Sequence, residues 1–418
     1  MTRVLAFGLP LAVWLTALGQ SNPSSPEGTV TFTRDVAPIL FAHCTGCHRP
    51  GQIAPMSLLG YEEARPWARS MRRMVAERRM PPWFADPHVG KFTNDSSLSD
   101  REIGIITRWA DSGAPQGNPA DLPPVPIYAE GWRIGTPDTV LTMATPFEVP
   151  ASGFVDYQYF EIPTAFTEDR WVQAVEIRPS NRRVVHHALV FARGPKDVVA
   201  PAAPPGPKCS GAVCGDIDTA DLRFGYMLSA MALGTQPDVY PAGTAKLVKA
   251  GSILTLQVHY TPMGTASSDR TSIGFIFAKA PPQVELKTVP LTKEAFVIPA
   301  RAPNHRVEAN LEFQGDATIW SVAPHSHLRG KAWRVDVVPP GRAPQPLLAV
   351  PRYDFNWQLN YILERPLDVT KGTRLHAEAV FDNSAANRNN PNPNVDVHWG
   401  GQTTDEMMFS SIVYSTKN

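Results

Sequence analysis

The sequence predicts a mainly β protein in which a small all-α domain precedes two tandem β-sandwich domains. Three observations support this fold class. Beyond residue 130 the chain is a series of short runs rich in Val, Ile, Phe, Tyr and Thr, separated by turn residues. The 42 prolines are too many for a helical protein but suit short strands joined by turns. Residues 28–118, by contrast, carry apolar residues at helical spacing.

Length and charge limit the possible functions. The 418 residues exceed one ordinary domain, so two or three domains are expected. Lys plus Arg and Asp plus Glu both number 39, which gives a net charge of zero. Nothing in this balance indicates a nucleic acid or an acidic membrane surface as a partner.

Residues 1–19 are predicted to be a secretory signal peptide. The chain begins Met1-Thr2-Arg3 and continues as an apolar run, and Ala17-Leu18-Gly19 resembles a small-residue cleavage site. The alternative is an uncleaved membrane anchor, although the run is short and contains Pro10. No later stretch is apolar enough to span a membrane. We therefore expect a bacterial protein that is periplasmic or secreted.

The first domain, residues 28–118, is predicted to contain three helices. The first covers Thr33–His43 and the second covers Tyr61–Arg79. The third begins at a capping box formed by Ser99 and Glu102, and Gly113 marks its end.

The run Cys44-Thr45-Gly46-Cys47-His48 lies directly after the first helix and has the C-x-x-C-H spacing of haem attachment. Two thiols at this spacing form thioethers to the haem vinyl groups, and the next residue places an imidazole on iron. The alternative is a redox or zinc C-x-x-C followed by an unrelated histidine. One covalently bound haem c is therefore predicted, and the segment resembles the small c-type cytochromes.

Met80 is the predicted sixth ligand of this haem, because it follows the second helix in a loop that Pro81 stiffens. A Met/His ligand pair raises the haem potential, as electron transfer requires. Met56, His43 and His88 are the alternative ligands.

A proline-rich linker is predicted over residues 119–130, followed by β domains at 131–292 and 293–418. The predicted strands are Tyr159–Ile162, Val184–Phe191, Ile253–Tyr260, Thr271–Phe277, Ala317–Val322, Trp333–Val338 and Leu375–Phe381.

His325 and His327 lie two residues apart, so an extended strand would place both imidazoles on one face. Two neutral imidazoles suit copper, zinc, iron or nickel equally. Met407 near the C-terminus offers a thioether, a soft donor that selects copper(I) over zinc, and Met408 is its rival.

Three more histidines lie in predicted strands of the first β domain. His186 and His187 are adjacent, so joint binding of one metal needs a bulge or a strand end. His259 lies in the run Leu256-Gln257-Val258-His259-Tyr260. Each histidine alone is more often a core residue than a ligand. Together with His325, His327 and Met407 they make two sets of three ligands, which is enough for two copper sites.

Together these runs resemble one family. The His-His pair, the Leu-Gln-Val-His-Tyr run, H-x-H followed by Leu-Arg-Gly, and His398-Trp399-Gly400-Gly401 running into Asp405-Glu406-Met407 occur in the same order in the copper, ascorbate-dependent monooxygenases. That family includes peptidylglycine α-hydroxylating and dopamine β-monooxygenases, and the resemblance covers roughly residues 130–418.

The resemblance implies two jelly-roll-like β-sandwiches, each holding one copper, on either side of a solvent-filled cleft. It assigns the electron-relay copper to His186, His187 and His259. It assigns the oxygen-binding copper to His325, His327 and Met407, and places Gln257 between the two sites.

The implied activity is hydroxylation of a C–H bond of a small organic substrate with O2. The haem would feed electrons to the relay copper, in place of ascorbate or alongside it, and an external donor would supply the haem. One alternative is a copper–haem electron-transfer or copper-binding protein without oxygenase activity. Another is a cytochrome fused to a β-sandwich scaffold with incidental histidines.

Two departures from the family carry further expectations. Peptidylglycine enzymes grip a peptide carboxylate with an arginine, an asparagine and a tyrosine, where this chain has Ala323, Phe409 and Ser411. A neutral or largely apolar substrate is therefore predicted, unless Arg329 reaches the cleft.

Outside the haem motif only Cys209 and Cys214 remain for a disulfide. Closing so short a loop stabilises the fold by roughly 2 kcal/mol.

Overall fold

A computed structural model describes residues 28–52, 54–195 and 225–417, together with the backbone of 208–210 and 213–215. The predicted signal peptide, residues 1–19, lies outside the described residues. Within the described part of the chain, no helix has the length and apolar character needed to cross a membrane.

The helices lie in the N-terminal region. They are a π-helix at Phe32–Val36, α1 (Ala37–His43), α2 (Tyr61–Ala64), a 3₁₀ turn at Arg65–Trp67, α3 (Ala68–Ala76), α4 (Asp100–Asp111) and a 3₁₀ turn at Pro119–Asp121. Their apolar faces meet around Phe32, Leu40, Ile106 and Trp109, which are almost completely buried.

The predicted helices are confirmed, with one difference. The second is interrupted by the 3₁₀ turn that contains Pro66, because proline removes a helical hydrogen bond. It also ends at Ala76 rather than Arg79. The third begins as predicted: the Ser99 hydroxyl accepts the Glu102 N–H, and the Glu102 carboxylate accepts the Ser99 N–H.

The remaining elements are strands. They are β1 (Thr139–Thr142), β2 (Phe147–Val149), β3 (Gln158–Pro163), β4 (Arg170–Arg178), β5 (Val185–Arg193), β6 (Lys208–Ser210), β7 (Val213–Gly215), β8 (Tyr226–Ala232), β9 (Asp238–Val239), β10 (Thr244–Val248), β11 (Ile253–Tyr260), β12 (Ser267–Asp269), β13 (Ser272–Phe277), β14 (Val284–Glu285), β15 (Lys287–Lys293), β16 (Val297–Ile298), β17 (His305–Phe313), β18 (Ala317–His325), β19 (Gly330–Val338), β20 (Gln345–Val350), β21 (Tyr361–Val369), β22 (Arg374–Phe381), β23 (Val397–His398) and β24 (Met408–Thr416). The prediction of a mainly β chain with a small helical region is confirmed.

The N-terminal sheet pair consists of β1-β13-β4-β10-β14, with β9 beside β4, and of β3-β11-β5-β8. Strands β4, β5, β11 and β13 turn alternate apolar residues inward, and these form one hydrophobic core that includes Val175, Val190, Leu256 and Phe275. The other face of β5 and β11 is left to carry the histidines.

The C-terminal sheet pair consists of β15-β24-β18-β21 and β20-β19-β22-β17-β7-β6 around a second core. Strand β15 spans the predicted boundary at 292/293 and pairs with β24. Strands β6 and β7 pair with each other and bring Cys209 opposite Cys214. The side chains of these two cysteines lie outside the described residues, and the described part contains no disulfide.

The segment after α3 leaves the helical region and packs on the C-terminal sheet pair. Trp83 lies 4.9 Å from Tyr361 between ring centroids, and Phe92 lies 5.4 Å from Tyr361. Backbone hydrogen bonds join Asp86 to Ala349 and residues 91–93 to residues 362–364. Met80, the predicted sixth haem ligand, therefore lies between helix α3 and a loop anchored on β structure.

Candidate functional site

The histidines of both predicted groups meet where β5 begins and where β11 and β18 end. His187 lies directly opposite His259 in the β5–β11 ladder. Strand β18 ends at His325, and His327 follows in the turn toward β19. The structure thus brings all five predicted histidine ligands into one place.

His186 and His187 both reach the site because of a β-bulge. His259 pairs with His187 while Tyr260 pairs with Val185, so His186 has no partner on β11. An extra residue reverses the alternation of side chains, and adjacent histidines then share one side of the strand. The bulge that joint metal binding requires is therefore present.

His325 and His327 lie on one side of the chain, as the H-x-H spacing predicts. Their ring centroids are 5.1 Å apart, and Ser326 between them is completely buried. The Tyr353 hydroxyl accepts the Ser326 N–H and donates to the Ser326 carbonyl, which fixes the turn. Gly330 makes this turn possible, because a Cβ there would lie 2.6 Å from the Ser326 Cβ.

The two histidine groups pack against each other, which corrects the expectation of a solvent-filled cleft. The rings of His187 and His325 are 6.1 Å apart between centroids. Tyr157 fills the remaining space, with its ring 5.3 Å from His187 and 6.4 Å from His327. Phe355 stacks on His186 at 4.8 Å. Uncharged imidazoles can pack against aromatic rings in this way, whereas charged ones would lose their hydration.

Burial keeps these imidazoles neutral. It lowers the pKa of His186 and of His325 to about 4 and that of His259 to about 3. It lowers the pKa of His187 and of His327 well below the ordinary value. Neutral imidazole is the form that binds a metal ion.

The histidines of the N-terminal sheet pair fit a metal ion. One ligand atom from each of His186, His187 and His259 lies within 4.8 Å of the others. The Nε2 atom of His186 and the Nδ1 atom of His259 are buried and have no hydrogen-bond partner among described residues. A buried nitrogen without a partner is costly, and metal coordination would satisfy it.

Hydrogen bonds orient the imidazoles of His325 and His327. The Nδ1–H of His325 donates to the Gln358 side-chain oxygen at 2.9 Å, and that of His327 donates to the Asp405 carbonyl at 3.2 Å. Each bond fixes the tautomer in which Nε2 carries the lone pair, the arrangement that metal-binding histidines use. At His327 the Tyr157 hydroxyl lies 3.5 Å from that Nε2 atom. Sequence reasoning missed Gln358, because no pattern links it to His325.

Met407 is better placed than Met408 to act as a ligand beside His325 and His327. Met408 is completely buried in the core of the C-terminal sheet pair, whereas Met407 is partly exposed. Phe409 pairs with His325 across the β18–β24 ladder, with rings 6.3 Å apart. Side chains two residues apart share a face, so the strand pattern puts Met407 on the side of Phe409 and His325.

Glu406 links the turn that contains His327 to the backbone of Met407. Its carboxylate is completely buried and accepts the backbone N–H groups of His327 at 2.8 Å, Arg329 at 2.6 Å and Met407 at 3.2 Å. Burial raises the pKa of Glu406 to about 8, although the same N–H donors oppose the shift. The sequence showed Glu406 next to Met407 but gave no sign of this role.

Arg329 does not reach the site as a carboxylate-binding group. Its side chain is buried, and its guanidinium donates to Asn383 at 2.9 Å and to the Thr404 carbonyl at 2.9 Å. Ala323 pairs with Ser411 in the β18–β24 ladder. Gln257 lies on the same side of β11 as His259 and donates to the Tyr159 hydroxyl at 2.9 Å.

The C-x-x-C-H segment forms the turn after α1. The described part of the chain contains Cys44 and Cys47 as free thiols. Burial raises the pKa of Cys44 to about 12 and also raises that of Cys47. The His48 Nδ1–H donates to the Met56 carbonyl at 3.3 Å, which leaves Nε2 free for a metal. Of the alternative sixth ligands, His43 lies 3.4 Å from Glu102, and His88 is exposed.

Residues 283–418 match the family described as copper type II ascorbate-dependent monooxygenase, C-terminal domain. This match supports copper as a cofactor, a monooxygenase-type oxidoreductase activity, and O2 and a small molecule as substrates. It covers His325, His327 and Met407 but not the first three histidines or the C-x-x-C-H segment.

Other comparisons add little. Among curated proteins, none matches the chain. The major capsid protein P2 of bacteriophage PM2 is similar at 8% identity and a TM-score of 0.28, over 66% of this chain and 97% of its own. Allantoicase from Saccharomyces cerevisiae is similar at 9% identity and a TM-score of 0.18, over 65% and 80%. Such low scores carry no argument about fold or function.

Replacing Glu406 by Gln should weaken both the fold and the metal site. The amide NH2 would face backbone N–H donors, and leaving a buried donor unsatisfied costs about 1–3 kcal/mol. We expect a lower free energy of unfolding in urea and weaker copper binding at His325 and His327. Glu364→Gln, at an exposed position, is the control. Wild-type stability and copper affinity in Glu406→Gln would refute this role.

The metal-free protein should lose stability in mild acid. The folded state holds the pKa of His186 and of His325 near 4, against an ordinary value of 6.5. Because the unfolded chain takes up these protons first, the free energy of unfolding should fall as pH drops from about 6.5 toward 4. Urea titrations at several pH values measure this. His187→Leu, with one such imidazole fewer, should show a shallower fall, and an equal slope would contradict the explanation.

Proposed function

We propose that this chain is an exported copper monooxygenase that hydroxylates a C–H bond of a small, neutral organic substrate with O2. One observation carries the proposal: five neutral imidazoles converge in a chain whose C-terminal region, which contains Met407, matches a copper monooxygenase family. His186, His187 and His259 would hold one copper ion, and His325, His327 and Met407 would hold the other. The copper ions supply the redox chemistry that activates dioxygen.

The protein's own groups prepare the site. Gln358 and the Asp405 carbonyl hold two imidazoles in the tautomer that presents Nε2. Glu406 keeps His327 and Met407 at a fixed separation by binding the N–H groups of both residues. Tyr157 and Phe355 cover the imidazoles and exclude water, which protects reactive species from side reactions.

The wall beside His325 favours an apolar substrate. Phe409 lies next to this histidine, and Arg329 is held by Asn383 and Thr404 rather than facing the site. A substrate carboxylate would then lose its hydration without gaining a cationic partner. This supports the expectation that glycine-extended peptides are poor substrates.

The proposal includes a haem c held by Cys44, Cys47 and His48, which would pass electrons to the first histidine group. Cys47 and Val185 line the same cavity, and Val185 precedes His186 in the chain. The shared cavity supports transfer from the C-x-x-C-H segment. Met80 stays the proposed sixth ligand. Haem that remains bound after denaturing electrophoresis would support this part, and haem lost on denaturation would refute it.

Oxygen uptake coupled to product formation is the experiment that tests the function. The copper-loaded protein, supplied with ascorbate, is given a panel of neutral compounds with weak C–H bonds and, separately, a glycine-extended peptide. We expect one hydroxylated product per O2 consumed with a neutral substrate and no useful turnover of the peptide. Uptake that yields no product with any substrate would favour the electron-transfer alternative. Efficient hydroxylation of the peptide would contradict the apolar site.

Removing the sulfur at position 407 should abolish hydroxylation. Met407→Leu keeps the volume but loses the thioether, and we expect activity to fall at least about 100-fold, more than loss of a supporting residue causes. The three-histidine copper and the haem should remain. Met408→Leu is the matched control and should cost less than about 1.5 kcal/mol of stability. Full activity in Met407→Leu with loss in Met408→Leu would show that the ligand is Met408.

A further inference from the structure

Two hydroxyl groups cross between the two proposed metal-ligand groups. The first group comprises His186, His187 and His259, and the second comprises His325, His327 and Met407. The Thr403 hydroxyl, from the segment between β23 and β24, lies 3.3 Å from Nε2 of His259 at the end of β11. The Tyr157 hydroxyl, from the segment before β3, lies 3.5 Å from Nε2 of His327. Each half of the molecule thus contributes a hydroxyl to an imidazole of the other half.

A metal ion would affect these two contacts differently. Nδ1 of His259 is buried and has no hydrogen-bond partner among the described residues, so a metal would bind there and Nε2 would carry the proton. The Thr403 hydroxyl then accepts this N–H, and the bond persists when the metal binds. His327 would instead offer Nε2 to a metal, because the Asp405 carbonyl accepts its Nδ1–H. A metal there would displace the Tyr157 hydroxyl, so Thr403 provides the contact that lasts.

The turn that carries Thr403 also holds the second group. The Asp405 carbonyl accepts the His327 Nδ1–H at 3.2 Å, and the Glu406 carboxylate accepts the His327 backbone N–H at 2.8 Å. The turn is closed on itself: the Asp405 N–H donates to the Gln402 carbonyl at 2.9 Å, and the Asp405 carboxylate accepts the Gln402 N–H at 3.2 Å. Thr403 lies within this turn and is buried. The position of its hydroxyl therefore depends on the position of His327.

We propose that Thr403 is a positioning residue that orients His259 for metal binding and thereby couples the two metal sites. A metal at the second group would fix His327 and, with it, the turn that holds Thr403. The His259 imidazole would then already be oriented, so the first group would lose less conformational entropy when it binds its own ion. The coupling is reciprocal, because each ion changes the affinity for the other by the same factor. This inference rests on the two proposed copper sites, but it does not depend on oxygenase activity.

The positioning role is tested with the second group disabled. His325→Ala removes a ligand of that group but keeps the contacts between His327 and the turn, and the affinity of the remaining copper(II) is measured by competition with a chelator. Adding Thr403→Val should lower this affinity about 10–100-fold, the usual cost of losing the partner of a metal-binding histidine. The reduction potential should rise, because an imidazole whose N–H has no acceptor is a weaker donor to copper(II).

Matched variants separate the hydroxyl from its surroundings. Thr403→Ser keeps the hydroxyl and should restore both the affinity and the potential. Thr404→Val makes the same change at the neighbouring exposed position and should leave both unchanged. Thr403→Ala is the substitute if Thr403→Val does not fold. Unchanged affinity and potential in Thr403→Val, or a loss that serine does not restore, would overturn the inference.

The coupling is measured as a ratio of binding constants. Native mass spectrometry counts the copper ions on each chain and gives the affinity of the intact protein for two ions. This value is divided by the product of the single-ion affinities of His325→Ala and His259→Ala. Repulsion between the ions enters the ratio equally with and without Thr403. Thr403→Val in all three chains should lower the ratio at least about fivefold, the low end of typical coupling between sites. An equal ratio would overturn the inference.

The inference and the proposed function can fail separately. Coupling that depends on Thr403, in a protein without oxygen turnover, upholds the inference and refutes the proposed function. Hydroxylation by a protein whose two copper sites show no dependence on Thr403 overturns the inference and upholds the proposed function.

Discussion

The arrangement of His325, His327 and Met407, the proposed ligands of the C-terminal sheet pair, depends on one buried carboxyl group, that of Glu406. Glu406 accepts N–H groups from both sides of the site, those of His327 and Arg329 after β18 and that of Met407 before β24. Both oxygens of Glu406 serve as acceptors for these N–H groups, and burying this acid without such partners would be costly. Glu406 thereby fixes the positions of residues that are almost 80 positions apart in the chain. Neither strand could fix them alone.

The packing of the histidine cluster depends on the imidazoles being buried and uncharged. Four of the five imidazoles lie against Tyr157 or Phe355, the fifth, His325, lies against His187 and His327, and burial keeps all five uncharged. Charged imidazoles could not be packed this closely, because their repulsion and lost hydration would exceed any gain from packing. The fold therefore holds these imidazoles in the protonation state that metal binding needs.

The sequence predicted the parts that local rules govern. The period of two placed His325 and His327 on one face, and alternating apolar residues located β11 with the bounds the structure has. It predicted that His186 and His187 need a bulge but could not place one, because the bulge is defined by pairing with β11. Glu406, Tyr157, Gln358 and the contact between the two histidine groups depend on distant parts of the chain, which no local pattern encodes.

The closeness of the two histidine groups is the central claim of this account. Electron paramagnetic resonance of the protein loaded with two copper(II) ions tests it directly, because unpaired electrons on neighbouring ions broaden or silence each other's signals. With His187 and His325 6.1 Å apart, the account predicts two bound ions with a strongly interacting spectrum. His327→Ala should convert this into the spectrum of one isolated ion. Two copper(II) ions in the wild-type protein that give independent, undistorted signals would contradict it.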